Sequence, residues 1–584
     1  MTSVTPKNYI NHLLSSALSS LKYTDLLESL SITIPPDASL GDYSCNASLI
    51  LAKKLKESPK EVAERVIAEI NKQDLEGKIQ KIEEKAGFIN FTLSQKYLLD
   101  FLNRILEQGQ FYGCSVSGEG KSVLVEYFAN NVAKPPHVGH LRSAVIGDCL
   151  LRILRSQGYR AISDTHIGDW GTQFGILLFA YKQYISSGGK KENIEKDPIN
   201  ELNTLYVGMS KQIEEDKELH EKGKEEFAKL EQGDVENREL WQWFVRVSLE
   251  DFERYSRLLD LLPFDHNLGE SFYEDKMQAV LEDLKFKNLL VESEGAQIVN
   301  LEDAKLGVAV LVKGDGATTY LLRDLATVKY RMSEMKLEKA LYVVDDRQAH
   351  HFNQVFEISQ RAGYTKNKAT YLHLPFGFMS LPEGAISTRK GTTIALQNLI
   401  DEAQKRALDI INEKNSKLPN KEAIAKLVGI SAIKYFDLSH NRKTEIIFTW
   451  DKALSFEGNT GPYLQYTHAR IHGILRKATS DKLQVTSDST TYNLQLTTHE
   501  LSVLRKLTQF PEVVDQVTLD YFPNNLCNYL FELAQTFNSF YQEVPVLSET
   551  DEAIKNFRLQ LITATAQVIS NGLYLLGIEA PEEM

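Results

Sequence analysis

Cysteine is scarce. Four occur in 584 residues, Cys45, Cys114, Cys149 and Cys527, and no two of them form a C-x-x-C pair. That scatter argues against a disulfide framework or a structural zinc site, and it fits a reduced, cytoplasmic setting. Long apolar runs are missing too; a membrane-crossing helix needs about 20 such residues. The opening stretch MTSVTPKNYINHLLSSALSS lacks a basic region followed by an apolar core, so no secretory signal is read there. Positive charge is also short: 66 Lys+Arg stand against 79 Asp+Glu, a net charge of −13. Nucleic-acid binders usually carry a basic footprint. Charge alone therefore argues against such a partner, and any case for one has to rest on particular residues.

What is present is ordinary globular composition, with 42 % hydrophobic and 25 % charged residues, and no internal repeat or long low-complexity tract. Disorder and collagen are excluded on that ground. Length alone predicts about three or four domains, and three zones of different texture are visible. Residues 1–93 read as a small α+β domain. Ser58-Pro59-Lys60-Glu61 has the pattern of a capping box with proline at the first helical position. Val62, Val66 and Ile70 then recur at helical spacing, and GFINFTL (87–93) alternates like a half-buried strand. Residues 94–455 alternate strands with helices: SVLVEYFA (122–129), the helix-like VGHLRSAVIGDCLLRILRSQG, YRAISDTHIG (159–168) and ALYVVDD (340–346). Such alternation predicts a parallel sheet with crossover helices, hence a multidomain α/β protein. Within this zone, 190–250 is highly charged and helical, the texture of a solvated insertion. The stretches LVGISAIKYFDLS, GPYLQYTHARIHGILRK and NNLCNYLFELAQTFNSFYQ predict an all-α helical bundle for the C-terminal zone, 456–584.

The sharpest chemical signal is His137-Val138-Gly139-His140, which follows a predicted strand and opens a predicted helix. Free N–H groups and the helix dipole favour an anion at such a start. Gly139 lets a nucleotide ring approach the backbone. Two histidines three apart share a helical face, and both can donate hydrogen bonds to phosphate oxygens as charge builds. Read alone, the string is either a nucleotide site or a pair of structural histidines; its place after a strand favours the site.

The context VEYFANNVAKPPHVGHLRSAVIGD resembles the signature of class I aminoacyl-tRNA synthetases, and THIGDWGTQFG (165–175) narrows the resemblance to the arginyl-tRNA synthetases. Further matches run along essentially the whole chain: TTYLLRDLATVKYR (318–331), YVVDDRQAHHFNQVF (342–356), ISTRKG (386–391), GPYLQYTHARI (461–471) and GLYLLGIEAPEEM (572–584). The resemblance implies a Rossmann-like parallel-sheet catalytic domain, an N-terminal tRNA-contacting domain and a helical anticodon-binding domain. It implies ATP with Mg²⁺ as substrate complex, L-arginine and tRNA(Arg) as partners, a monomer, no membrane and no bound structural metal. His137, Gly139 and His140 would bind ATP. A mobile basic loop would neutralise the leaving pyrophosphate, represented here by Ser387, Thr388, Arg389 and Lys390. Its usual leading lysine is absent, and Lys134, just before HVGH, matches the position thought to compensate. Read alone, STRKG is an ordinary basic turn. The family's amino-acid pocket maps onto Glu126, Asn131, His140, Tyr320, Asp324 and Gln348, with Asp324 the natural partner of a guanidinium. Asn130 stands where many relatives have proline. For tRNA, the resemblance points to Phe88 and Asn90, and to Tyr466, Tyr541 and Met584. Asn90 is shorter than the glutamine of some relatives.

The scattered His12, His350, His351, His468 and His472 form no metal-ligand spacing, and His166 reads as active-site lining only. A non-catalytic RNA-binding paralogue would be expected to lose the histidine pair or the substrate carboxylate; both are intact. A small nucleotidyltransferase would lack the helical C-terminal third, and a cysteine enzyme of the same class would carry zinc-ligand cysteines. The leading expectation is ATP-dependent arginylation of tRNA, with activation requiring bound tRNA.

Overall fold

A computed structural model describes residues 5–365, 370–381, 384–385, 395–414, 418–480 and 494–584. The N-terminal unit holds α1 (Pro6–Ser20), β1 (Ile32–Thr33), β2 (Tyr43–Cys45), α2 (Ala47–Leu55), α3 (Pro59–Ile70), β3 (Ile79–Lys85) and β4 (Phe88–Leu93). Its strands form an antiparallel sheet in the order β1-β2-β4-β3. Val62, Val66 and Ile70 bury the inner stripe of α3, as their spacing predicts. The capping box does not form: Ser58 sits at the cap, yet its side chain makes no capping hydrogen bond. Pro59, with φ fixed and no N–H, starts the helix without it.

Helix α4 (Gln95–Gln108) leads into the central unit. Here β5 (Ser122–Glu126), α5 (Val138–Ser156), β6 (Arg160–Asp164) and α6 (Thr172–Ser186) are followed by four inserted helices. These are α7 (Lys191–Ile194), α8 (Pro198–Glu215), α9 (Lys217–Glu231) and α10 (Val235–Leu258). The chain continues through α11 (Met277–Phe286) and a small antiparallel sheet of β7 (Val291–Ser293), β8 (Ala296–Asn300) and β9 (Val308–Val312). It returns with α12 (Tyr320–Ser333), β10 (Lys339–Tyr342), α13 (Ala349–Arg361) and β11 (Tyr371–His373). The main sheet is wholly parallel, in the order β11-β10-β5-β6. The chain therefore builds outward from β5 to β6 and then crosses to the other side of β5. In open parallel sheets, ligands bind beyond the strand ends where the order reverses. The segments leaving β5, β6 and β10 carry HVGH, HIGDWG and DDRQAHH, and this topology gathers them in one crevice.

The inserted helices carry charge outward but share a core with α6, built from Trp170, Phe174, Leu178, Leu202, Trp243 and Phe244. Two glycines let α6 and α9 touch: a Cβ on Gly175 would lie 2.0 Å from the Gly223 carbonyl oxygen.

Helices α14 (Leu396–Lys414), α15 (Lys421–Leu438) and α16 (Trp450–Ala453) lead to the C-terminal bundle of α17 (Gly461–Ser480), α18 (Thr498–Asp520), α19 (Asn524–Glu543) and α20 (Glu552–Leu575). LVGISAIKYFDLS forms most of α15, ahead of residue 456, and packs against both α5 and α17. Among the described residues no strand follows Ile447. The three units are joined by buried polar contacts. Glu512 of α18 accepts the Lys7 backbone N–H at 2.7 Å and the Tyr43 hydroxyl at 3.1 Å. Arg505 pairs with Asp42 at 2.6 Å. On α5, Arg152 pairs with Asp148 at 2.8 Å, and Lys434 of α15 donates to the Leu259 carbonyl at 2.7 Å. Gly577 closes over this group; a Cβ there would meet Asp148 Oδ2 at 2.6 Å and Lys434 Nζ at 2.8 Å. The four thiols are unpaired; Cys45, Cys149 and Cys527 are buried and Cys114 is partly exposed.

Candidate active site

His137 ends the loop after β5 and caps α5 rather than lying within it. Its Nδ1 accepts the Gly139 N–H at 3.0 Å, while the His137 N–H donates to His140 Nδ1 at 3.1 Å. The rings stack with centroids 3.8 Å apart. Each Nδ1 is thus an acceptor, so in the neutral ring the proton sits on Nε2. Burial, then the charges of His137 and Lys134, push the His140 pKa down to about 3. Burial, then the Arg347 charge, lowers that of His137. The pair consequently offers two neutral Nε2–H donors. This differs from the expectation of bare backbone N–H groups: the imidazoles occupy those of His137 and Gly139, and the His140 N–H bonds the His137 carbonyl at 2.8 Å. Gly139 has its own reason here, since a Cβ would lie 2.8 Å from His137 Cε1. Lys134 stands close by, its ammonium 4.7 Å from the centre of the Tyr206 ring. Ser387, Thr388, Arg389 and Lys390 lie outside the described residues.

Across the crevice, α12 presents Tyr320 and Asp324 one turn apart. Asp324 is enclosed between two histidines. His351 Nε2 lies 2.5 Å from Asp324 Oδ2, and His166 Nε2 lies 3.7 Å from Oδ1. Burial works to raise the Asp324 pKa, but the His351 hydrogen bond and the neighbouring cations outweigh it and hold the carboxyl below its ordinary range. Both histidines are disfavoured as cations by burial, yet their carboxylate neighbours raise them above the ordinary value. His351 is therefore part of this site, against the bland sequence reading. A lone histidine carries no spacing signal, although it sits three residues after Gln348, one turn into α13.

Tyr320 is 50 % exposed at the mouth, and its hydroxyl accepts from Gln173 Nε2 at 3.3 Å. Glu270, which sequence reading missed, lies beside this group. Burial, reinforced by the Asp324 and Asp169 charges, pushes its pKa up to about 7, despite Arg323 at 3.2 Å. Asn131 is exposed at the rim and closely covers Gly168, where a Cβ would fall 2.2 Å from Asn131 Oδ1. Asn130 is buried, and its backbone carbonyl accepts the Gly168 N–H at 3.0 Å. Gln348 is exposed at the start of α13. Glu126 is not free to face a ligand: it is buried against Arg331 at 2.6 Å, and Arg331 also pairs with Asp164 at 2.8 Å. These three make a charged floor under the crevice.

A profile described as class I (R) tRNA synthetases, catalytic domain, matches residues 101–450. One described as arginyl-tRNA synthetase N-terminal domain matches 8–93, and one described as DALR anticodon binding domain matches 464–584. The chain is 40 % identical over 579 residues to the arginine–tRNA ligase of Alkaliphilus metalliredigens (strain QYMF), covering 99 % of each. It is 41 % identical over 554 residues to that of Clostridioides difficile (strain 630), covering 95 % of each. The chain belongs to the arginyl-tRNA synthetases. Its fold agrees: the arginyl-tRNA synthetases of Plasmodium falciparum and Thermus thermophilus each superpose with a TM-score of 0.84 at 26 % identity. The first covers 100 % of both chains; the second covers 99 % of this chain and 100 % of its own.

In this synthetase the residues expected to meet tRNA lie in the N-terminal unit and the C-terminal bundle. Phe88 is 37 % exposed at the start of β4, but Asn90 is only 3 % exposed. The expectation of an Asn90 amide offered to a base is corrected here. Asn90 lies in the middle of the sheet, paired with Ser44 and Glu83, and its Nδ2 donates to the Phe88 carbonyl at 3.4 Å. Tyr466 is 45 % exposed on α17. Tyr541 on α19 lies half-buried, stacked on Phe537, with Arg470 over its ring at 5.1 Å. Met584 packs against the bundle core. Arg470, bonded to Asn538 at 3.2 Å, supplies a cation on this face that sequence reading did not single out. Among the described residues no group of three or more metal-ligating side chains occurs, and no helix is long and apolar enough to cross a membrane.

Proposed function

We propose that this synthetase is an arginine–tRNA ligase acting in two steps at the crevice between β5 and β10. In the first, a carboxylate oxygen of L-arginine attacks the α-phosphorus of ATP, supplied as its Mg²⁺ complex. The bond to pyrophosphate breaks and arginyl-adenylate forms. In the second, a ribose hydroxyl of the 3′-terminal adenosine of tRNA(Arg) attacks the arginyl carbonyl carbon, and AMP leaves. No covalent enzyme intermediate is needed; positioning and charge stabilisation carry the rate.

The geometry of the described residues supports the roles assigned to them, and the resemblance supplies that of the basic loop. The Nε2–H donors of His137 and His140 serve the α-phosphate oxygens, with Gly139 making room for the capping ring. Lys134, together with Ser387, Thr388, Arg389 and Lys390, serves the departing pyrophosphate. Asp324 takes the guanidinium, aided by Glu270 and Tyr320. Asn131 and Gln348 flank the rest of the amino acid, and Glu126 acts from below through Arg331. Phe88, Tyr466, Tyr541 and Met584, with Arg470, serve tRNA, and Asn90 braces Phe88. We place the enzyme in the cytoplasm as a monomer.

The observation that carries this reading is the part-buried Asp324 carboxylate held between His351 and His166. An acid enclosed in that way suits a planar cation. The test is charging of bulk tRNA with each of the twenty amino acids, alongside ATP–pyrophosphate exchange with and without tRNA. Arginine alone is expected to be attached, and exchange is expected to be small without tRNA. Comparable charging with another amino acid overturns the specificity; robust exchange without tRNA overturns the tRNA requirement.

A further inference from the structure

Charge patterning makes 190–250 look like a solvated appendage, yet α8 turns one aromatic ring inward. Leu202 and Met209 are buried on its inner stripe, and Tyr206 lies between them at helical spacing. The Tyr206 ring faces the Lys134 ammonium at 4.7 Å. Both side chains line a small enclosed space with Ala133, Gly168, Gln173 and Phe174. The Lys134 charge is felt at His137 and at His140, so the ammonium that meets the Tyr206 ring is also near the histidine pair. Burial lowers the Lys134 pKa, and no carboxylate works against that effect.

An ammonium partly withdrawn from water gains from a partner. A carboxylate would hold it and cancel its charge. An aromatic face holds it through the ring quadrupole and leaves the positive charge intact for an incoming anion. The insertion is itself fixed to the core by the Gly175–Gly223 contact, so the ring is firmly placed.

We propose that Tyr206 is a positioning residue for adenylation: its ring seats the Lys134 ammonium beside the HVGH pair and makes the inserted helices part of the phosphate site. The inference rests on the reading of Lys134 as a phosphate-binding group.

The test uses the full-length enzyme with tRNA, following ATP–pyrophosphate exchange while ATP and arginine are varied separately. Tyr206→Leu removes the ring face and is expected to lower kcat/KM for ATP about tenfold. KM for arginine is expected to stay within about twofold, because Asp324, the partner proposed for the guanidinium, lies on α12 rather than on this side. Tyr206→Phe keeps the face and is expected to recover all but about threefold of the loss. Tyr206→Leu combined with Lys134→Met is expected to match Lys134→Met alone, because the ring acts only through the lysine. Equal losses in the Leu and Phe variants, or a full additional loss in the double variant, overturn the inference. An intact Tyr206→Leu enzyme alongside a damaged Lys134→Met enzyme overturns it and leaves the Lys134 reading standing. An intact Lys134→Met enzyme overturns both. If Tyr206→Leu does not fold, Tyr206→Met is measured in its place.

Discussion

Asp324 already has partners before any arginine arrives, and that sets a pH dependence. Below their pKa values His351 and His166 are cations, and Glu270, with its pKa pushed up to about 7, is uncharged. All three states oppose a guanidinium. Arginine binding therefore releases protons, and its KM is expected to fall as pH rises from about 6 to about 8. Steady-state exchange across that range checks this, and His351→Gln is expected to flatten part of the slope. Asp324→Ala is expected to raise KM for arginine by about 100-fold or more, leaving KM for ATP within about threefold, because the cation would lose its carboxylate partner. Equal losses for both substrates would count against the pocket. At this scale the sequence was legible in local geometry, as in the HVGH start of α5 and the Tyr320–Asp324 turn, whose roles are what the resemblance implies. It was not legible for His351 and Glu270, which come from other elements and meet Asp324 only through the fold. Glu126 shows the converse: the residue was read, but not Arg331, which occupies it.

Helix α5 shows how one pair of rings can serve stability and, on the proposed reading, chemistry through different atoms. Its first turn is closed through the Nδ1 atoms of two imidazole rings, which leaves each Nε2 outside the cap. Alanine at 137 removes both contributions together. Asparagine is a good cap without an Nε2–H, so His137→Asn separates them. It is expected to melt near the wild type while lowering the adenylation rate by about 10²–10³, the typical effect of losing one such donor. Thermal unfolding with single-turnover adenylation distinguishes the two effects. The α6–α9 contact yields a second expectation. Gly175→Ala forces a methyl against the Gly223 backbone, and a stability loss of about 1–3 kcal/mol is expected by denaturant titration. Strands buried in the parallel sheet and the helix after HVGH could be read from periodicity. The inner face of the insertion could not, because its many charges mask a narrow apolar stripe. Of the small antiparallel sheet, β7 has only three residues, too few for alternation to be informative.

For the whole molecule, three zones could be seen in composition and pattern, but their junctions join residues as far apart as Lys7 and Glu512, a separation of 505 positions. No local pattern encodes such a contact. Burial pushes the Glu512 pKa up to about 7, against a reference of 4.5, so the folded state keeps a proton that the unfolded chain gives up. The stability this group contributes is present at low pH and is lost as pH rises toward and through 7. Glu512→Gln is expected to gain melting temperature relative to wild type between about pH 5 and pH 8, and a gap that narrows instead would contradict the assignment. The net charge of −13 remains compatible with a tRNA partner if, as proposed, exposed Phe88 and Tyr466 and the cation of Arg470 meet it locally rather than through a general positive field. The scarcity of cysteine has a practical consequence as well. Cys45, Cys149 and Cys527 are enclosed, and burial pushes their thiols up, that of Cys45 to about 11. A thiol-directed dye would therefore meet Cys114 first. Cys114→Ser leaves three shielded sulfurs, and one new cysteine at Val235, 72 % exposed on the insertion, then becomes a single attachment point from which movement of the inserted helices can be watched by fluorescence.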